Sequence, residues 1–162
     1  SPKLQRTIGK NLDLDVVRDV FRITCRAGIE TLGYFMIGLP GEDDAELTET
    51  LELLTSLDMD YAHIGVFTPY PGTQVYRQAL SKGTYDVDYW REFAMAPQKE
   101  FFPRYWNETW SDEELQVLLK KAYVAFYRRP RYIMRRLLRV KSLRELFRKA
   151  SLGCKLLKDI ST

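Results

Sequence analysis

Apolar residues change their spacing several times along the first half of this chain, and each spacing predicts a secondary-structure element. Short, mainly apolar runs over residues 31–37 and 61–67 predict two strands, the first of them buried. Helical spacing begins after Asp13 and stops at Gly28, and it returns between the two strands. The apolar positions of these helices are Val16, Val17, Val20, Ile23 and Ala27 for the first, and Leu47, Leu51, Leu54 and Leu57 for the second. Residues 1–12 carry no such spacing and are predicted to be extended or irregular.

The second half of the chain combines helical patterns with an aromatic stretch. A helix is predicted over 74–80, ending near Gly83, and the aromatic stretch over 84–110 holds all three tryptophans. We predict that this stretch is irregular and packs over the sheet or helices, although its rings could also stack on a flat ligand. Capping pairs typical of helix starts lie at Asp43 with Glu46 and at Ser111 with Glu114. The predicted segments are residues 1–83, 84–110 and 111–162, the last one helical and basic.

Each predicted strand is followed by a glycine–proline turn and then by a helix. The turns are Gly38-Leu39-Pro40-Gly41-Glu42 and Thr68-Pro69-Tyr70-Pro71-Gly72-Thr73. The strands fit one strand–helix–strand unit, whose right-handed crossover would place both turns side by side at one sheet edge. Because α/β proteins bind ligands at that edge, the pattern predicts a rigid ledge for a ligand. Ordinary turn chemistry explains the same spacing equally well.

Two polar residues near this edge are candidates for chemistry, and each also has a plainer explanation. His63 is the only histidine, and strand alternation places it on one face with Tyr61, Gly65 and Phe67, where it could point into a cavity. A structural role is the favoured interpretation for a lone histidine in a strand. Glu42 is expected to hold its loop through backbone N–H groups rather than to act as a general base. The sequence offers no catalytic triad.

Composition is that of one folded domain. The chain has 162 residues, of which 45% are hydrophobic, and no apolar run approaches the length needed to span a bilayer. No signal-peptide pattern is present, and Cys25 and Cys154 lie far apart in the sequence. Two isolated cysteines indicate a reducing compartment, so we expect a cytoplasmic location. They are also too few for a zinc or iron–sulfur site within this chain.

The net charge of +3 conceals an acidic body and a basic tail. Residues 128–158 carry twelve Lys and Arg but a single acid, so this stretch has a charge of +11 and the remainder −8. In the tail, Ile133, Met134, Leu137 and Leu138 lie between Arg135, Arg136 and Arg139. This pattern suits an anionic membrane surface or an acidic partner, although packing on the acidic body is the favoured interpretation. Nucleic-acid binding is not predicted, because no recognised binding module accompanies the charge.

Several sequence strings resemble the second half of a radical S-adenosylmethionine (SAM) domain. They are Met36-Ile37-Gly38-Leu39-Pro40-Gly41-Glu42, Pro69-Tyr70-Pro71-Gly72-Thr73, the opening Ser1-Pro2 with Ile8-Gly9-Lys10, and Ala27-Gly28-Ile29. Together they cover residues 1 to about 83. The continuation through Trp90 and over residues 126–133 resembles the C-terminal extension of cobalamin-binding members, nearest to the anaerobic magnesium-protoporphyrin IX monomethyl ester oxidative cyclase group.

The resemblance implies a partial (β/α)6 TIM-like barrel whose first half carries a CxxxCxxC loop. In the family that loop holds a [4Fe–4S] cluster, which cleaves SAM reductively to a 5′-deoxyadenosyl radical. This chain has no such motif, so we expect a piece of a longer polypeptide that contains only the fifth and sixth strands. By the resemblance, the SAM adenine is bordered by Met36, Gly38, Phe67 and Thr68. The substrate rim is predicted at Tyr70 and Gly72, with Glu42 and His63 as further members. No catalytic residue or metal ligand can be transferred.

The leading hypothesis is therefore the C-terminal portion of a radical SAM enzyme, oxidoreductase-like or methyltransferase-like, with cobalamin as a further candidate cofactor. Its fold would be about two parallel strands with helices, followed by a mostly helical extension. Alone, it is expected to be inactive and to hold no cofactor. Its expected partners are the missing half of its own barrel, a small-molecule substrate and a second copy that covers the two uncovered sheet edges. The alternative is a non-catalytic α/β module whose basic helices bind a membrane surface or an acidic partner.

Overall fold

A computed structural model describes residues 1–106 and 108–138 of the chain. In this part the chain alternates between helices and two parallel strands, and it then continues with helices alone. The elements are α1 (Pro2–Thr7), α2 (Leu14–Arg26), β1 (Leu32–Ile37), α3 (Asp44–Ser56), β2 (Tyr61–Val66), α4 (Gln74–Ser81), α5 (Tyr89–Met95), α6 (Asp112–Tyr127) and α7 (Pro130–Leu138). The predicted α/β class with a parallel pair of strands is confirmed.

Side-chain caps determine where helices α3 and α6 begin. At α3, the Asp43 carboxylate accepts from the backbone N–H of Glu46 at 3.1 Å, and the Glu46 carboxylate accepts from that of Asp43 at 3.2 Å. Ser111 and Glu114 exchange the same two hydrogen bonds at the start of α6. Because each pair satisfies N–H groups that a helix start leaves free, both predicted capping pairs are confirmed.

The first two helices depart from the sequence prediction. Helix α1 forms where the sequence predicts irregular structure, because the Ser1 hydroxyl accepts from the N–H of Leu4 at 3.2 Å and the Leu4 side chain is buried. Helix α2 follows Asp13 as predicted, but none of its residues is fully buried. Its exposed apolar side chains are Val16, Val20 and Ile23, each more than half accessible to solvent. Apolar spacing predicts where this helix lies but not which of its side chains are buried.

One face of the two-stranded sheet is buried beneath helices. The strands pair in register, and α3 contacts β1 while α6 contacts β2. The core between them consists of Ile37, Leu47, Leu54, Leu57, Met59, Ala62, Ile64, Ala122 and Phe126. Full burial of one large apolar side chain stabilises a fold by about 1.5–3 kcal/mol, so this cluster is the main source of stability around the sheet.

The outer edge of β2 is covered by two tyrosine hydroxyls of α6. The Tyr123 hydroxyl accepts from the N–H of Ile64 and donates to its carbonyl, both at 3.1 Å. The Tyr127 hydroxyl does the same with Ala62, at 3.3 and 3.2 Å. These hydroxyls occupy the places that the backbone of a third strand would take. The expectation of two uncovered sheet edges is therefore wrong for β2, because a helix satisfies that edge.

The aromatic segment is packed as predicted but is less irregular. Asp88 accepts from the N–H of Arg91 at 3.2 Å and caps α5, a helix that the proline-broken pattern does not predict. A second core forms here from Tyr76, Ala79, Tyr85, Tyr89 and Trp106. The burial of three ring systems from this segment favours packing over ligand stacking as its role.

Helix α7 returns to the amino ends of the strands. Tyr132 donates to the carbonyl oxygen of Asp60 at 3.0 Å, next to the start of β2. The guanidinium of Arg129, the residue before α7, lies 4.3 Å from the centre of the Phe126 ring and so joins the start of the helix to the core. The further helices predicted for the tail lie in residues 139–162, outside the described residues.

Candidate functional site

The parallel register brings the two glycine–proline turns together. Ile37, the last residue of β1, pairs with Val66, the last residue of β2. One step further, the N–H of Phe67 donates to the carbonyl of Ile37 at 2.8 Å. Both strands therefore end at the same sheet edge and both turns leave from it, as the strand–helix–strand interpretation predicts.

The two turns have the same local geometry. The N–H of Glu42 donates to the carbonyl of Leu39 at 3.0 Å, and the N–H of Thr73 donates to that of Tyr70 at 3.2 Å. Each turn has proline at its second position and glycine at its third, and the φ values are 73° at Gly41 and 83° at Gly72. This is the arrangement of a type II turn, which requires positive φ at the third position. Proline limits φ at the second, so both turns are stiff.

Glu42 lies inside the first turn rather than on its rim. Its side chain is 1% exposed, and one carboxylate oxygen accepts from the N–H of Leu39 at 2.9 Å. Burial raises the pKa of the Glu42 carboxyl, although the N–H groups of Leu39 and Gly38 oppose the rise. The hydroxyl of Thr109 donates to the Glu42 carbonyl at 2.8 Å and ties the turn to the segment before α6. This geometry holds the loop and leaves the carboxylate no access to an outside ligand.

The second face of the sheet is open beside the turns. Tyr34 and Met36 of β1 are 74% and 42% exposed there, and His63 of β2 is exposed next to them. The register places Tyr34 opposite His63, with ring centres 5.4 Å apart, and Met36 opposite Gly65. A β-carbon placed at Gly65 would meet no heavy atom within 4 Å. Gly65 is thus an open floor, bordered by Met36 and His63, on which a flat group could lie.

The other predicted contact residues are divided among different surroundings. Gly38 is buried on the helix side, where a β-carbon would lie 2.9 Å from the Leu115 side chain. Phe67 packs partly against the second core, and the Thr68 hydroxyl donates to the carbonyl of Val66 at 3.3 Å. Tyr70 is 55% exposed with its ring centre 5.7 Å from that of Trp90, and Gly72 is exposed beside it. Met36, His63, Tyr70 and Gly72 therefore present accessible surface, whereas Gly38 and Glu42 support the loop from within.

Sequence reasoning passes over two members of this site. Gly65 appears only as a residue on the His63 face, and Tyr34 does not appear. Strand alternation carried across both strands would have found them, because the register sets Tyr34 and Met36 on the same face as His63 and Gly65.

The described part of the chain has neither a cluster of metal-ligating side chains nor a membrane-spanning helix. Residues 1–106 and 108–138 contain no group of three or more His, Cys, Asp or Glu side chains that could hold a metal ion. Over the same residues, no helix has both the length and the apolar character needed to cross a bilayer. Cys25 is half-buried, with its sulfur 3.8 Å from an Arg135 nitrogen, and Cys154 lies outside the described residues.

Comparison with known proteins finds similarity to two kinds of enzyme. This chain is 30% identical to an uncharacterized methyltransferase of Pyrococcus horikoshii over 135 residues, which are 83% of the chain. Shorter stretches are similar to tRNA-2-methylthio-N(6)-dimethylallyladenosine synthases. The identity to the Vibrio vulnificus enzyme is 35% over 48 residues, which are 30% of this chain. The identity to the Chromobacterium violaceum enzyme is 38% over 39 residues, which are 24% of this chain. The matched stretches cover 28% of the methyltransferase and 10% and 9% of the two synthases. No protein-family model matches the chain.

Proposed function

We propose that this chain is the C-terminal part of a radical SAM enzyme of methyltransferase type, in which it forms one wall of the SAM site and part of the substrate rim. The observation that carries the proposal is the parallel register, which places two rigid turns and the open floor at Gly65 at one sheet edge. Similarity to a methyltransferase over 83% of the chain supports a group-transfer activity. Because the chain spans 28% of that relative, we assign the activity to a longer protein that includes it.

The open floor has the chemical character that an adenine ring requires. Gly65 permits close approach of a flat ring, and the Met36 side chain offers a polarizable sulfur for its edge. In the described residues β1 is paired with a strand on one side only, which leaves its other edge for the neighbouring strand that the longer protein would supply. The rings of Tyr34 and His63 extend the same surface along the strands.

The cofactors of the proposal divide between this chain and the rest of the longer protein. SAM bound beside a reduced [4Fe–4S] cluster would supply the radical chemistry. The chain has two cysteines, too few to ligate the cluster, so we place the cluster on another part of the protein. The residues of this chain would hold the adenine, orient a small substrate along the rim at Tyr70 and Gly72, and exclude water.

Substitution of Gly65 in the longer protein tests the adenine wall. We expect Gly65→Val to lower SAM affinity by about tenfold or more, a loss of about 1.4 kcal/mol, because the added methyl groups occupy the floor. The fold should tolerate the change, since a β-carbon there meets no neighbour within 4 Å. Gly65→Ala should have a smaller effect. Leu32→Ala, on the same face at the far end of β1, should have none. Unchanged SAM affinity in Gly65→Val, with unchanged cluster absorbance, would contradict the proposal.

The isolated chain provides a second test. With one wall of the site present, we expect calorimetry to detect weak SAM binding or none. Tight stoichiometric binding would show that the chain holds a complete site and would contradict the division proposed above.

We extend the proposal to the cobalamin-binding, cyclase-like group, which predicts a cobalamin absorption spectrum in the purified longer protein. If a cofactor-replete preparation lacks that spectrum, the assignment to the cobalamin-binding group is wrong and the rest of the proposal is unaffected.

A further inference from the structure

Two of the three arginines of helix α7 face the body of the protein. The side chains of Arg135 and Arg136 are 19% and 16% exposed. Arg135 pairs with Asp58 at 3.2 Å, and Arg136 pairs with Glu30 at 3.1 Å and with the fully buried Asp60 at 3.4 Å. These ion pairs join the first part of the basic tail to the acidic body, as the favoured interpretation of the charge distribution predicts.

The apolar side chains of the same helix point outward as a consequence. At about 100° per residue, positions 132, 135 and 136 share one face, and positions 133, 134, 137 and 138 share the opposite one. The outward side chains are Ile133, Met134, Leu137 and Leu138, which are 44%, 57%, 49% and 81% exposed. A helix on a water-facing surface ordinarily has the reverse orientation, with its apolar side inward. We call these four residues the α7 apolar face.

The arginine pairs hold this face in place before any partner arrives. Besides its two carboxylate partners, Arg136 contacts the Tyr61 ring, whose centre lies 4.9 Å from the guanidinium. Tyr132 donates to the Asp60 carbonyl at 3.0 Å. The helix is therefore anchored along its charged side. A preformed apolar face loses little conformational entropy on binding, which favours its use as a docking surface.

We propose that the α7 apolar face docks on an anionic lipid surface. The chain after α7 is strongly basic, since residues 139–158 carry seven Lys and Arg but one acid. An apolar face next to a cationic stretch complements a membrane interface, where anionic headgroups cover an apolar interior. A protein partner would need an apolar groove beside its acidic surface, whereas a lipid bilayer supplies both features along its whole interface. The proposal is independent of the proposed function, because it concerns a different end of the sheet and can be tested without catalysis.

Vesicle sedimentation with the full chain tests the proposal. The probe is a vesicle of phosphatidylcholine with about a third of phosphatidylserine, compared with phosphatidylcholine alone. We expect the chain to bind the anionic vesicles, with affinity that falls as salt concentration rises. Leu137→Glu combined with Leu138→Glu should weaken binding by about tenfold or more, because burial of one large apolar side chain is worth at least that factor.

A charge-matched control separates the apolar face from the general effect of two added acids. Met95→Glu combined with Val117→Glu changes two side chains of closely similar exposure, 80% and 49% against 81% and 49%, on other helices. The control should bind within about threefold of the unchanged chain, because its two added acids lie on helices other than the one that docks. Equal losses in both variants, or no preference for anionic vesicles, would overturn the proposal. It would also be overturned if the chain self-associates in solution and the α7 substitutions abolish that association, since the face would then be covered by a second copy.

Discussion

Removing two tyrosine hydroxyls should destabilise this chain far more than so small a chemical change usually does. The perturbation is Tyr127→Phe, alone and combined with Tyr123→Phe. Each hydroxyl serves both backbone groups of one β2 residue, Ala62 or Ile64. Phenylalanine retains the ring and its packing, so the substitutions isolate the hydrogen bonds.

The size of the effect follows from burial. Ala62 and Ile64 are 6% and 3% exposed, so water cannot easily replace the lost hydroxyls while the rings remain. Burial also raises the pKa of the Tyr127 hydroxyl, which agrees with a group withdrawn from solvent. An unsatisfied buried backbone group costs about 1–3 kcal/mol, and each substitution leaves one donor and one acceptor without a partner. Because the bonds are rather long, we expect about 2 kcal/mol for Tyr127→Phe and about 4 kcal/mol for the double variant.

Urea unfolding of the full chain measures this loss, and amide hydrogen exchange shows where it arises. Exchange of the Ala62 and Ile64 amides should accelerate selectively in the variants, because those amides lose their acceptors. Tyr34→Phe is the matched control, since this residue is 74% exposed and removal of its hydroxyl should change stability by less than about 0.5 kcal/mol. If the double variant unfolds within that margin of the unchanged chain, the hydroxyls do not hold the edge of β2 and this account of the sheet is wrong.

Two further predictions concern the first turn. Gly38→Ala should destabilise the chain by about 1–3 kcal/mol in thermal or urea unfolding, because φ is 75° and the new methyl group would lie 2.9 Å from Leu115, whereas Gly65→Ala should be nearly neutral. Equal losses at the two glycines would refute this. For Glu42, the raised folded-state pKa means that the folded chain holds a proton more tightly than the unfolded chain, so the free energy of unfolding falls as pH rises from about 4.3 through the folded-state value. Glu42→Gln should remove that decline. The free energy of unfolding of this variant minus that of the unchanged chain should therefore rise with pH between the unfolded-state and folded-state pKa values and then level off. Parallel pH profiles of the two chains would contradict the prediction.

The local features of this protein were predictable from the sequence because they depend on residues a few positions apart. The capping pair at Asp43 and Glu46 needs only one helical turn, and the positive φ of Gly41 and Gly72 follows from their place after proline. The parallel pairing of the strands was also predictable, since an apolar run, a helix and a second apolar run leave few arrangements. These features bring the two turns to one sheet edge.

Tertiary structure alone decided which surfaces these elements cover and which they leave open. Tyr123 and Tyr127 lie about sixty residues from the strand that they complete, as their bonds to Ile64 and Ala62 show, and no local pattern connects them. The spacing of α7 reveals two faces but not that Arg135 and Arg136 turn inward, which depends on acidic residues just before the distant strand β2. The physical reason is that caps and turns are satisfied within a few residues of chain. Burial, edge pairing and ion pairing instead need a partner whose position only the folded chain determines.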